Sequence, residues 1–598
     1  MRALFAARVR LLRLLPRAGV GLTGLLTALQ LGRAVVPGAR ALSVGWLIAT
    51  LGAGGLDRQA VLAAVLVAGL FLADQLVWSV LTPVAVLAGK RIDGDLRARL
   101  RTLAGELPGL DHLESRDFQD RAARAVDSGM GISRERSAGT AATGQLELVF
   151  RLVSAGIATA LLATFSPLLA LGLLAVSLLM RAIVRRQWMR IIDKLDADTA
   201  GQRHEYYVAE QAVMGAAKDV RLFGLSDWFG NRFRAAAMRT YAPVYREMLA
   251  VLRRQWWIGL LAVGCAVAAL AVPAAAVLAD RLDPAELITF VLAAWGIMAI
   301  SGMGHEAFDI EYGLRGVAAA DELTAQYGGT PRAPRPDPPA PGPPTIHFEN
   351  VVFRYPGSDR AVLDGLTVTL RPGQTVAVVG ENGAGKTTFV KLLAGLYRPD
   401  SGRITVDGTD LATLDPAGWR RRLAVLFQDF VRYPASLRDN ITFAAAEHAG
   451  DAAVRDALVR ADGAALLAEL SDDLDTSLWR EGADGTDLSG GQWQRVALAR
   501  VLFATAAGRR LLVLDEPTAH LDVRAEAEFH ERVVSRVHDT TTVLISHRLS
   551  TVRPAERIIL LRGGRVAEDG SHDELLALGG DYARFFTVQA EAFRAGAA

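Results

Sequence analysis

The chain has 598 residues, one cysteine and a formal net charge of +2. At ~150 residues per unit the length allows about four domain-sized units. A single cysteine excludes a disulfide framework within the chain and any multi-cysteine metal site, and 66 basic residues against 64 acidic ones give no support to bulk nucleic-acid binding. The hydrophobic share is 51% before 57 glycines are counted, above the ~45–50% that ordinary soluble domains reach with glycine included. That excess excludes a disordered chain and points to a membrane part.

The apolar excess lies before about residue 320. Residues 1–17 interleave Arg2, Arg8, Arg10, Arg13 and Arg17 with Leu, Phe and Val. The pattern predicts an interfacial amphipathic helix rather than a cleaved signal, which would be basic first and apolar next. Six spans of the ~20 mostly apolar residues needed to cross a bilayer follow: 18–51, interrupted by Arg33 and Arg40; 60–88, broken by Asp74; 138–165 and 168–183, split at Ser166-Pro167; 255–279; and 287–304. Lys90, Arg91, Arg97, Arg99 and Arg101 follow the second span, Arg181, Arg185, Arg186 and Arg190 the fourth, and Arg315 the sixth. The opposite loops carry only Arg58 and Arg281. The positive-inside rule therefore places both chain ends in the cytoplasm. Within the spans, Asp74 reads equally as a cavity-lining group or as a hydrogen-bonded residue between helices, and Glu147 and Arg151 read as an ion pair four residues apart. Arg33 and Arg40 either face a cavity or snorkel. Cys265 reads as an inert apolar residue, and Trp256 and Trp257 as an interfacial belt.

Eight of the fourteen residues in 331–344 are proline, which predicts an extended spacer. From Ile346 onward short Val/Ile/Leu strands alternate with helical stretches, the pattern of an α/β domain. The expected organisation is a membrane domain over 1–327, a linker over 328–345 and a nucleotide-binding domain over 346–598.

Three motifs in the last domain handle phosphate. The apolar strand TVAVV leads into GENGAGKTT (Gly380, Glu381, Asn382, Gly383, Ala384, Gly385, Lys386, Thr387 and Thr388) and then into a helix-like run. This is a P-loop in its strand–loop–helix setting: backbone N–H groups curl around phosphate oxygens, Lys386 reaches the β- and γ-phosphates, and Thr387 places its hydroxyl on Mg²⁺. In RRLLVLDEPT a strand ends in Asp515, suited to the magnesium shell, and Glu516, suited to polarising an attacking water. LSGGQ opens an amphipathic helix with Ser489, Gly490, Gly491 and Gln492, a second anion cradle at a helix start.

These residues resemble those of the ATP-binding cassette (ABC) transporters. By that resemblance Tyr355 in FRYPG stacks on adenine, Gln428 in LFQDF senses magnesium and the membrane domain, Asp522 in AHLD is the D-loop residue, and His547 in ISHRLST contacts the γ-phosphate. Six spans ahead of one cassette resemble the exporter-type half-transporters. The implied fold is a six-span α-helical membrane domain, its helices extended into the cytoplasm, joined to an α/β P-loop domain. Coupling helices are expected near 110–119 and 226–229. In EGADGTDLSGG, Ala483 and Asp484 depart from the family's usual acidic residue, and Glu481 is the expected substitute.

The expected function is ATP-driven export of a small molecule, peptide or lipid across a bacterial inner membrane. Two half-transporters, identical or different, would act together with ATP and Mg²⁺ held between the P-loop of one and the LSGGQ of the other. Import of a siderophore-like cargo, lipid flipping, and a membrane ATPase that regulates without transport are the alternatives. No Cys–His peptidase segment precedes the spans, so the chain is not expected to cleave a leader peptide itself.

Overall fold

The computed structural model describes residues 2–54, 57–126, 137–196, 199–210, 216–303, 306–328, 335–338, 342–479, 485–517, 539–546 and 548–596. The chain divides into two compact units, residues 1–102 with 120–326, and residues 103–119 with 327–598.

The first unit is helical: α1 (Arg2–Leu12), α2 (Val20–Gly54) and α3 (Arg58–Glu106), then, beyond α4 (Asp111–Glu114), α5 (Arg116–Val126), α6 (Ala138–Ala163), α7 (Pro167–Asp196), α8 (Thr199–Glu210), α9 (Ala217–Leu222), α10 (Ser226–Arg254), α11 (Trp256–Leu278), α12 (Pro284–Met298) and α13 (Glu306–Tyr327). Among the described residues, α2, α3, α6, α7, α11 and α12 are long and apolar enough to cross a membrane. Pro37, Pro83 and Pro273 sit inside helices, which bundles tolerate because neighbours satisfy the freed backbone groups. Thr164, Phe165 and Ser166 make the short turn between α6 and α7, and Pro167 opens α7.

Small residues set the packing, as expected where lipid gives no hydrophobic drive between helices. α3 and α6 meet at Gly89 and Gly139, and a Cβ on Gly139 would fall on the Gly89 carbonyl. The Gly139 N–H donates to the buried Asp93 carboxylate at 2.8 Å, and Ser137 and Thr140 close a capping box at the start of α6. Gly139→Ala should therefore force the two backbones apart and destabilise the unit by about 1–3 kcal/mol. The check is the melting temperature in detergent; an unchanged value would contradict this close approach.

The sixth span departs from the continuous run expected over 287–304. α12 stops at Met298, a 3₁₀ turn covers Ala299–Ser301, and Gly302 is extended. The freed carbonyls are taken by guanidinium groups from two other helices. Arg151 donates to Ala299 and Gly302 at 3.0 and 2.9 Å, and Arg181 to Ile300 and Gly302 at 3.2 and 3.1 Å. Such partners are what non-helical backbone at membrane depth requires. The expected Glu147–Arg151 pair is replaced by this arrangement, with Glu147 turned to Arg33 on α2. Cross-helix partners are in better reach than the i,i+4 neighbour.

The second unit contains an antiparallel sheet in the order β2 (Leu363–Leu370), β1 (Ile346–Phe353), β4 (Ser401–Val406), β5 (Thr409–Asp410). Its second sheet runs β10 (Arg565–Gly570), β9 (Arg557–Arg562), β3 (Thr375–Gly380), β8 (Thr541–Ile545), β7 (Leu511–Asp515), β6 (Leu423–Leu426), parallel except for β10. β7 and β8 are buried at every position, as a central parallel strand covered on both faces must be. The helices are α14 (Lys386–Leu393), α15 (Pro416–Arg420), α16 (Leu437–Thr442), α17 (Asp451–Arg460), α18 (Ala464–Glu469), α19 (Gly490–Ala506), α20 (Leu549–Val552), α21 (His572–Leu578) and α22 (Asp581–Gly596). Phe348 stacks on Phe389 at 4.6 Å, tying the antiparallel sheet to α14.

Residues 103–119, in the first region expected to hold a coupling helix, pack within this second unit. The Leu110 N–H donates to the Leu396 carbonyl at 2.9 Å, and Arg420 bridges the Pro108 and Gly395 carbonyls. His112, Phe118 and Tyr327 form an aromatic cluster with centroids 5.1–5.9 Å apart. In the other expected region α10 begins at Ser226, with Leu222, Phe223 and Trp228 exposed.

Candidate functional site

The parallel sheet gathers its strand ends at one edge, where loops bind ligands in open α/β sheets. β3 ends at Gly380 and opens the P-loop, whose Gly383 and Gly385 have φ of 83° and 99°. Only glycine adopts these values without strain, and a side chain on Gly385 would also meet Leu363. The loop turns its backbone into the N-terminus of α14, an anion-binding arrangement. Ala384 is buried under the loop, while Glu381 and Asn382 are exposed at its rim.

Lys386 folds back over this loop, its ammonium donating to the Gly380 and Glu381 carbonyls at 2.8 and 3.0 Å. Burial lowers its pKa, against the raising effect of Glu516 and Asp515. The charge is thus held at the loop's mouth by backbone oxygens.

β7 delivers Asp515 and Glu516. Asp515 is 2% exposed and accepts from the Thr387 hydroxyl at 3.1 Å. Burial pushes its carboxyl up to about 6; the Thr387 bond opposes this and neighbouring Glu516 adds to it. A carboxylate whose ionised form is disfavoured by its surroundings is one that a bound cation would restore. Among the described residues no group of three His, Cys, Asp or Glu could hold a metal alone. The hard oxygens of Thr387, Asp515 and Gln428 instead suit Mg²⁺, which keeps several waters and shares substrate phosphates.

Glu516 sits at φ 50°, a left-handed conformation that costs a non-glycine residue energy and marks functional positions. Its N–H is tied to the Ile545 carbonyl at 2.9 Å, and its carboxylate accepts from the Gln428 amide at 3.0 Å. Gly380, Glu381, Asn382, Gln428 and Glu516 line one cavity of about 420 Å³ together with Ser546, Tyr582 and Phe585. Ser546 immediately precedes the histidine expected from sequence. Tyr582 and Phe585 come from α22, and no motif in the chain signals them.

Tyr355 lies beside α14 rather than on this cavity's wall. Its hydroxyl shares a hydrogen bond with Thr388 at 3.0 Å, and the Lys391 ammonium sits 5.1 Å from its ring centroid. The signature residues do not line the cavity either. Ser489 caps α19 by accepting from the Gln492 N–H at 3.3 Å, while Gln492 answers with an acceptor for the Ser489 N–H at 2.8 Å and donates to Glu469 at 2.7 Å. Ser489 and Gly490 are exposed and Gly491 is half-buried, so the cradle faces solvent. The same helix reaches the segment that follows β7 through Gln494, whose amide donates to the Pro517 carbonyl. Asp522, His547, Glu481, Ala483 and Asp484 lie outside the described residues.

The ABC transporter family profile matches residues 363–519. A mycobactin import ATP-binding/permease protein, IrtB, of Mycolicibacterium thermoresistibile is 43% identical over 249 residues, 41% of each chain. The chain thus matches about two fifths of that relative's length. An ATP-dependent lipid A-core flippase of Alkalilimnicola ehrlichii is 33% identical over 386 residues, 64% of each chain. A solved bacterial Atm1-family ABC exporter with ATP bound superposes with a TM-score of 0.67 at 25% identity, covering 96% of this chain and 98% of that one.

Proposed function

We propose that this chain, whose residues 363–519 match the ABC transporter profile and whose apolar helices and α/β domain superpose on an Atm1-family exporter, is one half of a dimeric, ATP-driven exporter of the bacterial inner membrane, with both ends of the chain cytoplasmic. The observation that carries this reading is the split of the phosphate-handling groups. P-loop, Asp515, Gln428 and Glu516 gather at one site, while the LSGGQ cradle is a separate, solvent-facing helix start. A second copy or a similar chain supplies the missing cradle to each ATP.

In this mechanism the P-loop amides and Lys386 bind the phosphates, and Tyr355 takes the adenine face. Thr387, Asp515 and Gln428 would hold Mg²⁺, which when bound would supply neutralisation of the phosphate charge. Glu516 exchanges its Gln428 hydrogen bond for the attacking water and orients it in line, with His547 supporting the γ-phosphate. Phosphoryl transfer then needs positioning and charge stabilisation more than covalent chemistry. ATP favours the closed pair of cassettes, and hydrolysis resets it. Residues 107–114, held on their own cassette by Leu396 and Arg420, and the exposed Leu222, Phe223 and Trp228 transmit closure to the spans.

Import is the second reading, favoured by the relative named for mycobactin import. Inside-out vesicles separate the two. ATP-dependent accumulation of cargo in their lumen supports export, ATP-dependent loss of preloaded cargo supports import, and ATP hydrolysis without either flux would leave a membrane ATPase.

A further inference from the structure

Charged side chains inside membrane spans are rare and functional where they occur, and four of them form two pairs here, spaced about 10 Å apart along α2. Arg33 on α2 faces Glu147 on α6 at 3.3 Å, and its guanidinium lies 4.5 Å from the Trp78 ring centroid on α3. About two helical turns further along α2, Arg40 faces Asp74 on α3 at 3.7 Å. The stretch from Arg40 to Gly54 is ~21 Å of helix and that from Arg58 to Asp74 is ~24 Å, so both charges lie deep within their spans.

We propose that Arg33, Arg40, Asp74, Glu147 and Trp78 form the ligand-binding part of the transport path, and that the ligand is a zwitterionic amphiphile. This rests on the pump reading above for its use, and on three observations for its chemistry. First, the pairs are open. Arg40 and Asp74 stand beyond hydrogen-bonding distance, and each of the four side chains keeps about a third of its surface, 31–38%, exposed. A guanidinium carries five N–H donors in a planar fork, and one contact leaves most of them for a ligand's anionic group. Second, the set is electroneutral. A purely anionic ligand would draw both arginines away and strand Asp74 and Glu147 in an apolar setting, and a purely cationic one would strand Arg33 and Arg40. Among charged ligands, only one carrying both signs leaves every charge partnered. Third, the face is continuous with apolar surface. Phe71, Asp74 and Trp78 fall on one side of α3 by helical spacing, and Phe71 and Trp78 are 55% and 54% exposed, a bed for an alkyl or aromatic body.

Binding calorimetry on the full chain in phosphatidylglycerol nanodiscs, without ATP, tests this with three probes that share one alkyl chain: dodecylphosphocholine, dodecyl phosphate and dodecyltrimethylammonium. The zwitterion should bind at least tenfold more tightly than either single-charge probe. Asp74→Asn should shift the preference toward the phosphate and Arg40→Gln toward the ammonium, each by at least fivefold. The neutral pair Arg40→Gln with Asp74→Asn, which leaves no unpartnered charge to disturb folding, should lose the zwitterion preference. Added phosphatidylethanolamine should compete with the probe if the bilayer supplies the ligand; no competition assigns the ligand to solution. Equal affinity for all three headgroups, or a preference unmoved by these substitutions, would make the pairs structural and overturn the proposal. Because no turnover is read, a preference found in protein that transports nothing would sink the pump reading and leave the site standing.

Discussion

Glu516→Gln is expected to bind ATP within about twofold of the unchanged protein and to hydrolyse it at least ~100-fold more slowly, the range for loss of a positioned proton acceptor. The substitution is isosteric, and an amide can still meet Gln428, which donates to Glu516 at 3.0 Å. The unusual backbone at φ 50° and its tie to Ile545 remain. Only the negative charge that orients water is lost. The closed, ATP-bound dimer should therefore accumulate, visible as a shift to the dimer in size-exclusion chromatography with ATP and Mg²⁺. Turnover within tenfold of normal would assign the role to another residue.

Lys386→Ala is expected to fail one step earlier. The ammonium contributes charge-assisted hydrogen bonds, each worth ~1.5–3 kcal/mol, so ATP affinity should fall by about 10–100-fold and hydrolysis should become undetectable. Lys386 also braces the loop through Gly380 and Glu381, and its burial already disfavours its charge. Removal loses these two bonds and also relieves a desolvated cation, so the two effects oppose each other in the nucleotide-free protein. The melting temperature without ATP should change little, and the rise in melting temperature on adding ATP should be lost. A nucleotide-dependent rise as large as that of the unchanged protein would contradict the assignment.

Much of the site is readable in the chain because its signals are local. TVAVV, the glycines that accept φ of 83° and 99°, and Lys386 lie within a dozen residues, and backbone geometry alone makes them a phosphate loop. The Ser489–Gln492 capping box is likewise a three-residue interval. The spans are readable because hydropathy is a sum over a window. What sequence reasoning missed depends on other helices. Glu147 turns to Arg33 and not to Arg151 because a guanidinium from α2 is in reach, and Arg151 goes to the carbonyls freed beyond Met298. The end of α12 is invisible to hydropathy, since AISG is as apolar as the helix before it; the partners that make the break tolerable are Arg151 and Arg181. Ser546, Tyr582 and Phe585 join the cavity beside the P-loop through β8 and α22, whose neighbours are set by sheet order and not by spacing along the chain.

The proposed enclosure of each ATP by two chains can be tested with complementary lesions. Differently tagged Lys386→Ala and Ser489→Arg chains, both also carrying Glu516→Gln, can be co-expressed and purified as the mixed dimer, and the trapped nucleotide counted. If the cradle acts across the seam, one site receives both lesions and the other none, so the mixed dimer should retain about one ATP while either matched dimer retains none. A mixed dimer as empty as the matched ones would mean that P-loop and signature motif of the same chain serve the same nucleotide, which the account does not survive.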